Sequence, residues 1–358
     1  MKIVQFVEAF GGGVYTYVKD LCNFIIENDT TNSLEVYLIY SPNRDEFNKN
    51  LFLEEINPKV KLHEIEMVRD INLSIDFNVI KTTRNLLLQI RPDVLHIHSA
   101  KATVLGRIAA KNIVSPDKIF YSPHGYSFVQ QNISKSKKII FQLIEKLMPI
   151  IFGGTTIASG DTEFEISKKY GKTILIRNGV DFTLPDSISS TPKNEKLTIG
   201  TVGRLSVQKN PSFFNQLALA LPQYNFIWIG NGDLIHEITA PNIQVTGWIK
   251  SREDLLKKIN QFDIYTQVSL WEGLPISLLE AMAVKKPLLV SNIVGNKDTV
   301  INNENGFIYN NLEEAINYIK TLDNTELRNQ FREKSYQICD IKFNQKKNLT
   351  SLINLYIS

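Results

Sequence analysis

Two glutamates, Glu272 and Glu280, frame the segment EGLPISLLE. Pro275 suits the first turn of a helix, where its missing N–H costs nothing. The helix is predicted from about Pro275 to Val284, with Glu272 in the loop before it and Glu280 near its middle. The backbone N–H groups of Ile276 and Ser277 then face whatever occupies that loop. A helix N-terminus carries roughly half a positive charge and favours a phosphate. Anion site and carboxylates together suit a ligand with a phosphate and many hydroxyls, such as a nucleotide sugar. Alone, the spacing fits equally a surface helix with two solvated glutamates.

Further along the same chemistry, GTVGRLSVQKNP carries Gly203, Arg204, Lys209 and Asn210. A glycine at a strand exit followed by two cations reads as a diphosphate clamp, the arginine as a fork and the lysine as a point charge. It is not a P-loop, since GxxxxGK[ST] is missing. Gly11-Gly12-Gly13 follows the strand-like IVQFV and precedes a helical pattern. These glycines let a backbone approach a phosphate closely, and they lack the GxGxxG spacing of a dinucleotide fingerprint. Two strand ends carry histidines: VLHIH, closing at His98 and followed by Lys101, and KIFYS, followed by Pro123-His124-Gly125-Tyr126. His124, between Pro and Gly, is expected to face the site. His96 is assigned to the opposite face of its strand and to packing. Asp161 is expected to cap a helix, and Asn178-Gly179 to make a turn.

The elements that position these residues alternate. IVQFV, EVYLIY, VLHIH, KIFYS, TTIAS and TILIR read as strands, with periodic segments such as YTYVKDLCNFIIEN and KTTRNLLLQI between them. After a polar Ser/Thr/Pro stretch the alternation resumes through LTIGTV, FIWIG, IQVTG, FDIYT and PLLVS. Strand–helix alternation implies parallel sheets covered on both faces, with ligands at the carboxyl ends of the strands. A chain of 358 residues is long for one core. The division expected is 1–182 for a first α/β domain, 183–196 for a linker, 197–340 for a second α/β domain, and 341–358 for a helix crossing back to the first.

Net charge is +3, which argues against nucleic acid as the main partner. The two cysteines, Cys22 and Cys339, lack metal spacing and read as buried thiols of a reducing compartment. No apolar run reaches the roughly 18 residues of a spanning helix, and no leader pattern is visible, so a cytoplasmic protein is expected. The segment 132–152 mixes Lys135, Lys137 and Lys138 with a strongly apolar face. It reads as a core-facing helix with solvated lysines or, slightly less favoured, as an interfacial helix on anionic lipid.

The pattern E-x7-E with its EGLP and LLEAMA flanks, G-R-L-x-x-x-K-N, and the HSAKA and SPHGYSF stretches together resemble the retaining glycosyltransferases of family GT4. The resemblance covers almost the whole chain and extends to bacterial surface-polysaccharide enzymes. It implies the GT-B fold, two Rossmann-like domains facing each other across a cleft, and transfer of a hexose or N-acetylhexosamine from a nucleotide sugar. The base is expected to be uridine, and the acceptor a saccharide or a polyprenyl-diphosphate-linked saccharide. By the resemblance, His124, Arg204, Lys209 and Glu272 are catalytic. Gly12, Gly13, Gly203, Val245, Gly273, Leu274, Pro275, Ile276 and Glu280 bind the donor, Glu280 through the ribose. His98, Lys101 and Tyr126 bind the acceptor. No cofactor and no metal are expected, since no Asp-x-Asp is present. The rival readings are a GT-B nucleotide-sugar epimerase and an inactive nucleotide-sugar-binding protein.

Overall fold

A computed structural model describes residues 1–44, 47–183, 195–249 and 251–358. Nearly all of the expected 183–196 linker lies outside these residues. The chain forms two compact units, Met1–Arg177 with Leu349–Ser358, and Asn178–Asn348.

The first unit carries a seven-stranded sheet: β1 (Lys2–Val7), β2 (Glu35–Tyr40), β3 (Lys61–Glu64), β4 (Val94–His98), β5 (Ile119–Ser122), β6 (Thr155–Ala158) and β7 (Thr173–Leu175). Their order is β3-β2-β1-β4-β5-β6-β7, and every pairing is parallel. β1 alternates between two cores. Ile3 and Val7 pack with Tyr17, Leu21 and Leu352, while Val4 and Phe6 pack with Leu87, Ala102 and Leu105. A strand buried on both faces is continuously apolar, which makes Gln5 at its centre conspicuous.

The second unit has β8 (Thr198–Val202), β9 (Asn225–Ile229), β10 (Ile243–Gly247), β11 (Ile264–Gln267), β12 (Leu288–Ser291) and β13 (Gly306–Tyr309), in the order β10-β9-β8-β11-β12-β13, again parallel. Two strands, β3 and β13, are absent from the sequence reading. β3 is KLHE, a mostly polar strand with no buried residue, and β13 is the short GFIY, which opens on a glycine.

In each sheet the strand order reverses beside the central strand, between β1 and β4 and between β8 and β11. Ligands of open α/β sheets bind outside the carboxyl ends at that switch point. The glycine loop leaves β1, His98 ends β4, Gly203-Arg204 leaves β8, and the EGLP loop follows β11.

The helix Lys135–Phe152 corrects the favoured reading of its segment. Its only fully buried residue is Glu145, while Ile139, Ile140, Leu143, Leu147, Ile150 and Ile151 are exposed, Ile150 at 68%. The apolar face does not enter the core. Asp161 is likewise the first residue of the helix Asp161–Ser167 and not its cap, which is Gly160. Its carboxylate instead accepts from Arg177 Nε at 2.9 Å.

Candidate active site

In the second unit, Lys209 Nζ stands 2.6 Å from Glu272 Oε1. Two amides complete the carboxylate's shell. Gln208 Nε2 donates to Oε2 at 3.2 Å and Gln267 Nε2 to Oε1 at 3.1 Å. Gln208 also donates to the Trp271 carbonyl, and the Leu270 N–H donates back to the Gln208 carbonyl. These bonds tie the turn before the helix Pro211–Ala220 to the EGLP loop. Glu272 is buried, and a buried charge needs such partners. The lysine, expected as a point charge, is thus held in one place by its carboxylate partner.

Gly203 explains how Lys209 reaches there. A Cβ on Gly203 would come within 3.0 Å of Lys209 Cε and 3.1 Å of Cδ. The lysine stem lies across the strand exit, and a side chain at position 203 would have to push it aside by a few tenths of an ångström. Arg204 is half-buried, and its Cγ lies 3.0 Å from where a Cβ on Gly232 would be.

The helix after EGLP runs Ile276–Ala283, within a residue of expectation at each end. Pro275 is its cap and not its first turn, with extended φ −69° and ψ 124°. The first bonds into the helix reach the Pro275 carbonyl from Leu278 and Leu279. Ile276 and Ser277 thus carry the N-terminal N–H groups that no helical carbonyl precedes. Leu274 and Pro275 are buried, so this loop presents backbone and not side chains. The Gly273 carbonyl is so close to Gly295 that no Cβ fits there, and Gly295 has φ +80°. Asn178 Nδ2 donates to the Leu274 carbonyl at 3.3 Å. Glu280 is buried, with Arg252 Nε 3.7 Å from its Oε1. Val245 lies on β10, whose end closes on β9 through Gly230 N–H to the Gly247 carbonyl.

In the first unit, the helix Gly12–Glu27 starts within the glycine run, with Gly12 at φ +54° and both Gly12 and Gly13 exposed. His124 also lies in the left-handed region, φ +53°, followed by Gly125 at φ +96°. A left-handed non-glycine residue costs about 1–2 kcal/mol and is kept only where its surroundings hold it. Here Gly125 N–H donates to Glu163 at 2.8 Å, Tyr17 meets the His124 ring edge-on at 4.9 Å, and His124 Nε2 lies 3.0 Å from His98 Nδ1. His124 keeps part of its surface open, yet the protein around it desolvates the ring enough to push it down to about 4.

The three residues expected to bind the acceptor, His98, Lys101 and Tyr126, all have partners within the unit. His98 is fully buried, with its nitrogens engaged by Gln5 and His124. Tyr126 is buried, its hydroxyl on Ser167 at 2.8 Å and its ring stacked on Phe128. Lys101 donates to the Val68 and Asp70 carbonyls and pairs with Asp76, each at 2.7 Å. The assignment of His96 to the far face was also wrong. Residues two apart share a face, and the His96 and His98 rings lie 4.1 Å apart. Sequence reading missed Gln5, Tyr17, Gln208, Gln267 and Arg252. The one available signal was a glutamine inside an otherwise apolar strand.

Both units thus gather their motif residues at switch points of doubly wound parallel sheets, as nucleotide-dependent enzymes of the two-domain α/β class do. The sequence pattern of "Glycosyltransferase Family 4" matches residues 11–184, and that of "Glycosyl transferases group 1" matches residues 185–338. The chain belongs to the GT4-type glycosyltransferases and has the α/β GT-B fold. It is 28% identical over 326 residues to the UDP-Gal:alpha-D-GlcNAc-diphosphoundecaprenol alpha-1,3-galactosyltransferase of Escherichia coli, covering 81% of this chain and 82% of that one. It is 25% identical to the O-antigen biosynthesis glycosyltransferase WbnH of Escherichia coli, covering 89% of each. Sucrose-phosphate synthase from Thermosynechococcus elongatus shares the fold, with TM-score 0.83 at 15% identity over 99% of this chain and 98% of that one.

Proposed function

We propose that the protein transfers a hexose or N-acetylhexosamine from a UDP-sugar to a lipid-linked saccharide in bacterial surface-polysaccharide synthesis, with retention at the anomeric carbon. The buried Glu272–Lys209 pair beside the N-terminus of the helix Ile276–Ala283 carries the reading. A carboxylate for sugar hydroxyls and a cation for phosphate are there held in one shell. The galactosyltransferase relative, named for a UDP-sugar donor and a diphosphoundecaprenol-linked acceptor, supports the class of donor and acceptor, and WbnH supports the setting in O-antigen synthesis.

In this reading the second unit holds the donor. Glu280 accepts the ribose hydroxyls, the end of β10 around Val245 borders the base, and the backbone of Gly273, Leu274, Pro275 and Ile276 faces the sugar and its phosphate. Gly203, Arg204 and Lys209 stabilise the departing diphosphate. Glu272 both orients Lys209 and meets the sugar. The first unit takes the acceptor, while its Gly12 and Gly13 serve the donor phosphates and His124 a hydroxyl of the donor sugar. His98, Lys101 and Tyr126 act behind these groups. The boundaries 1–182, 197–340 and 341–358 stay our proposal for the functional division.

Among the described residues no helix is long and apolar enough to cross a membrane. The exposed aliphatic face of Lys135–Phe152 and its leading lysines support docking of the first unit on the anionic inner face of the cell membrane. Nucleotide release from a panel of UDP-sugars, with and without a polyprenyl-diphosphate saccharide, tests the function. Release that depends on the acceptor is expected. Donor epimerisation, or binding without turnover, would favour the rival readings.

A further inference from the structure

We propose that Gln5 and His98 are positioning residues that lock His124 in one neutral tautomer, Nε2 protonated and Nδ1 left to accept from a sugar hydroxyl. The proposal rests on the reading of His124 as a substrate-contacting residue.

The chain of bonds takes its direction from the Gln5 amide, which sits with Oε1 toward His98 and Nε2 buried without a hydrogen bond. The reverse placement would reverse the chain. Gln5 Oε1 can only accept, and His98 Nε2 lies 2.8 Å from it. His98 therefore donates from Nε2. A neutral imidazole has one N–H, so His98 Nδ1 carries a lone pair. His124 Nε2, 3.0 Å away, must donate to it. The lone pair of His124 is then on Nδ1. The two rings lie nearly parallel, 17° apart with centroids 5.2 Å apart.

Neutrality is enforced by place. His98 is completely buried, and burial together with the neighbouring His96 and His124 rings holds it well below the ordinary imidazole range. His96 does not compete for the same bonds, since its nitrogens meet Tyr356 and Ser122 hydroxyls at 2.5 and 2.9 Å. A hydroxyl partner accepts either proton arrangement, whereas the Gln5 carbonyl oxygen accepts one. Gln5 is therefore the element that sets the direction. It sits on β1 where β1 pairs with β4, beside His96 in register. The strained backbone of His124 and the Tyr17 ring keep the imidazole fixed. A fixed acceptor dictates which way the bound hydroxyl points its hydrogen, and hence where its lone pairs lie.

The experiment uses the whole protein labelled with ¹⁵N-histidine. Long-range ¹H–¹⁵N spectra at neutral pH, assigned with His124→Gln, are expected to show His124 with a protonated Nε2 and a bare Nδ1. Gln5→Met keeps the volume and removes the acceptor. In that variant the His124 nitrogens should move toward values averaged over both tautomers. kcat/KM should fall about tenfold, while binding of UDP alone is unchanged. A wild-type His124 protonated on Nδ1 or present as a mixture would overturn the proposal, even if the variant failed to fold. So would a Gln5→Met protein whose His124 signals stay in place. Correct signals in a protein inactive with every donor would sink the functional reading and leave the lock standing.

Discussion

Glu272 and Glu280 are both buried carboxylates, but their neighbours differ. Glu280 faces Arg252 from inside a helix, while Glu272 shares a shell with Lys209, Gln208 and Gln267. In its proposed role Glu280 holds the ribose, a contact made equally in ground and transition states, so Glu280→Gln should raise the donor KM more than it lowers kcat. It should also weaken UDP binding measured by calorimetry. Glu272→Gln removes the negative charge that pairs with Lys209 and, in the proposed role, frees more of that cation for the diphosphate. UDP should then bind at least as tightly as in the wild type while kcat falls. Weaker UDP binding in Glu272→Gln than in Glu280→Gln would show the roles to be reversed. Hydrogen bonds to charged groups contribute about 1.5–3 kcal/mol. Arg204→Ala and Lys209→Ala are therefore each expected to lower kcat/KM by roughly ten- to a hundredfold, and near-normal steady-state constants in both would dispose of the clamp.

The helix Lys135–Phe152 turns its one buried carboxyl inward and its aliphatic residues outward. Burial pushes Glu145 up to about 7, against the Tyr121 hydroxyl, which donates to it at 2.9 Å, and the nearby Arg107. The protonated carboxyl favours the folded state. That advantage is full below the unfolded value near 4.5 and is lost as pH rises through about 7. Glu145→Gln, which mimics the protonated form, should therefore raise Tm at pH 8.5, by up to about 3 kcal/mol of stability at 1.36 kcal/mol per unit. The gain should shrink toward pH 5. An equal Tm difference at both pH values would rule out this titration. On the outer face, flotation with anionic liposomes should carry the protein up, and salt should weaken the association. Replacing Lys135, Lys137 and Lys138 by Glu, or Ile139 and Leu143 by Ser, should leave it at the bottom. Unchanged flotation of both variants would remove the membrane role of this helix.

At the scale of the molecule, two doubly wound sheets were legible because β1, β2, β4, β8 and β9 are largely apolar runs of five or six residues between helical segments. The site was legible where one local segment carries it: Glu272 to Glu280, or Gly203 to Lys209. It was not legible where distant elements meet. Nothing in the spacing of Gln5, His98 and His124 brings them together, because strand pairing does so. Nor does local sequence tell that Lys101 and Tyr126 are engaged inside the unit. The direction of the helix Lys135–Phe152 also escaped, since its apolar stripe looks the same whether it faces a core or a lipid.

The most direct measurement of the central claim is the structure of the product formed from an α-linked UDP-sugar and a polyprenyl-diphosphate saccharide. Mass spectrometry should show the acceptor heavier by one hexose or N-acetylhexosamine residue, and proton NMR should show that residue α-linked. A β-linked product would contradict retention, and an unchanged acceptor beside an epimerised donor would contradict transfer itself.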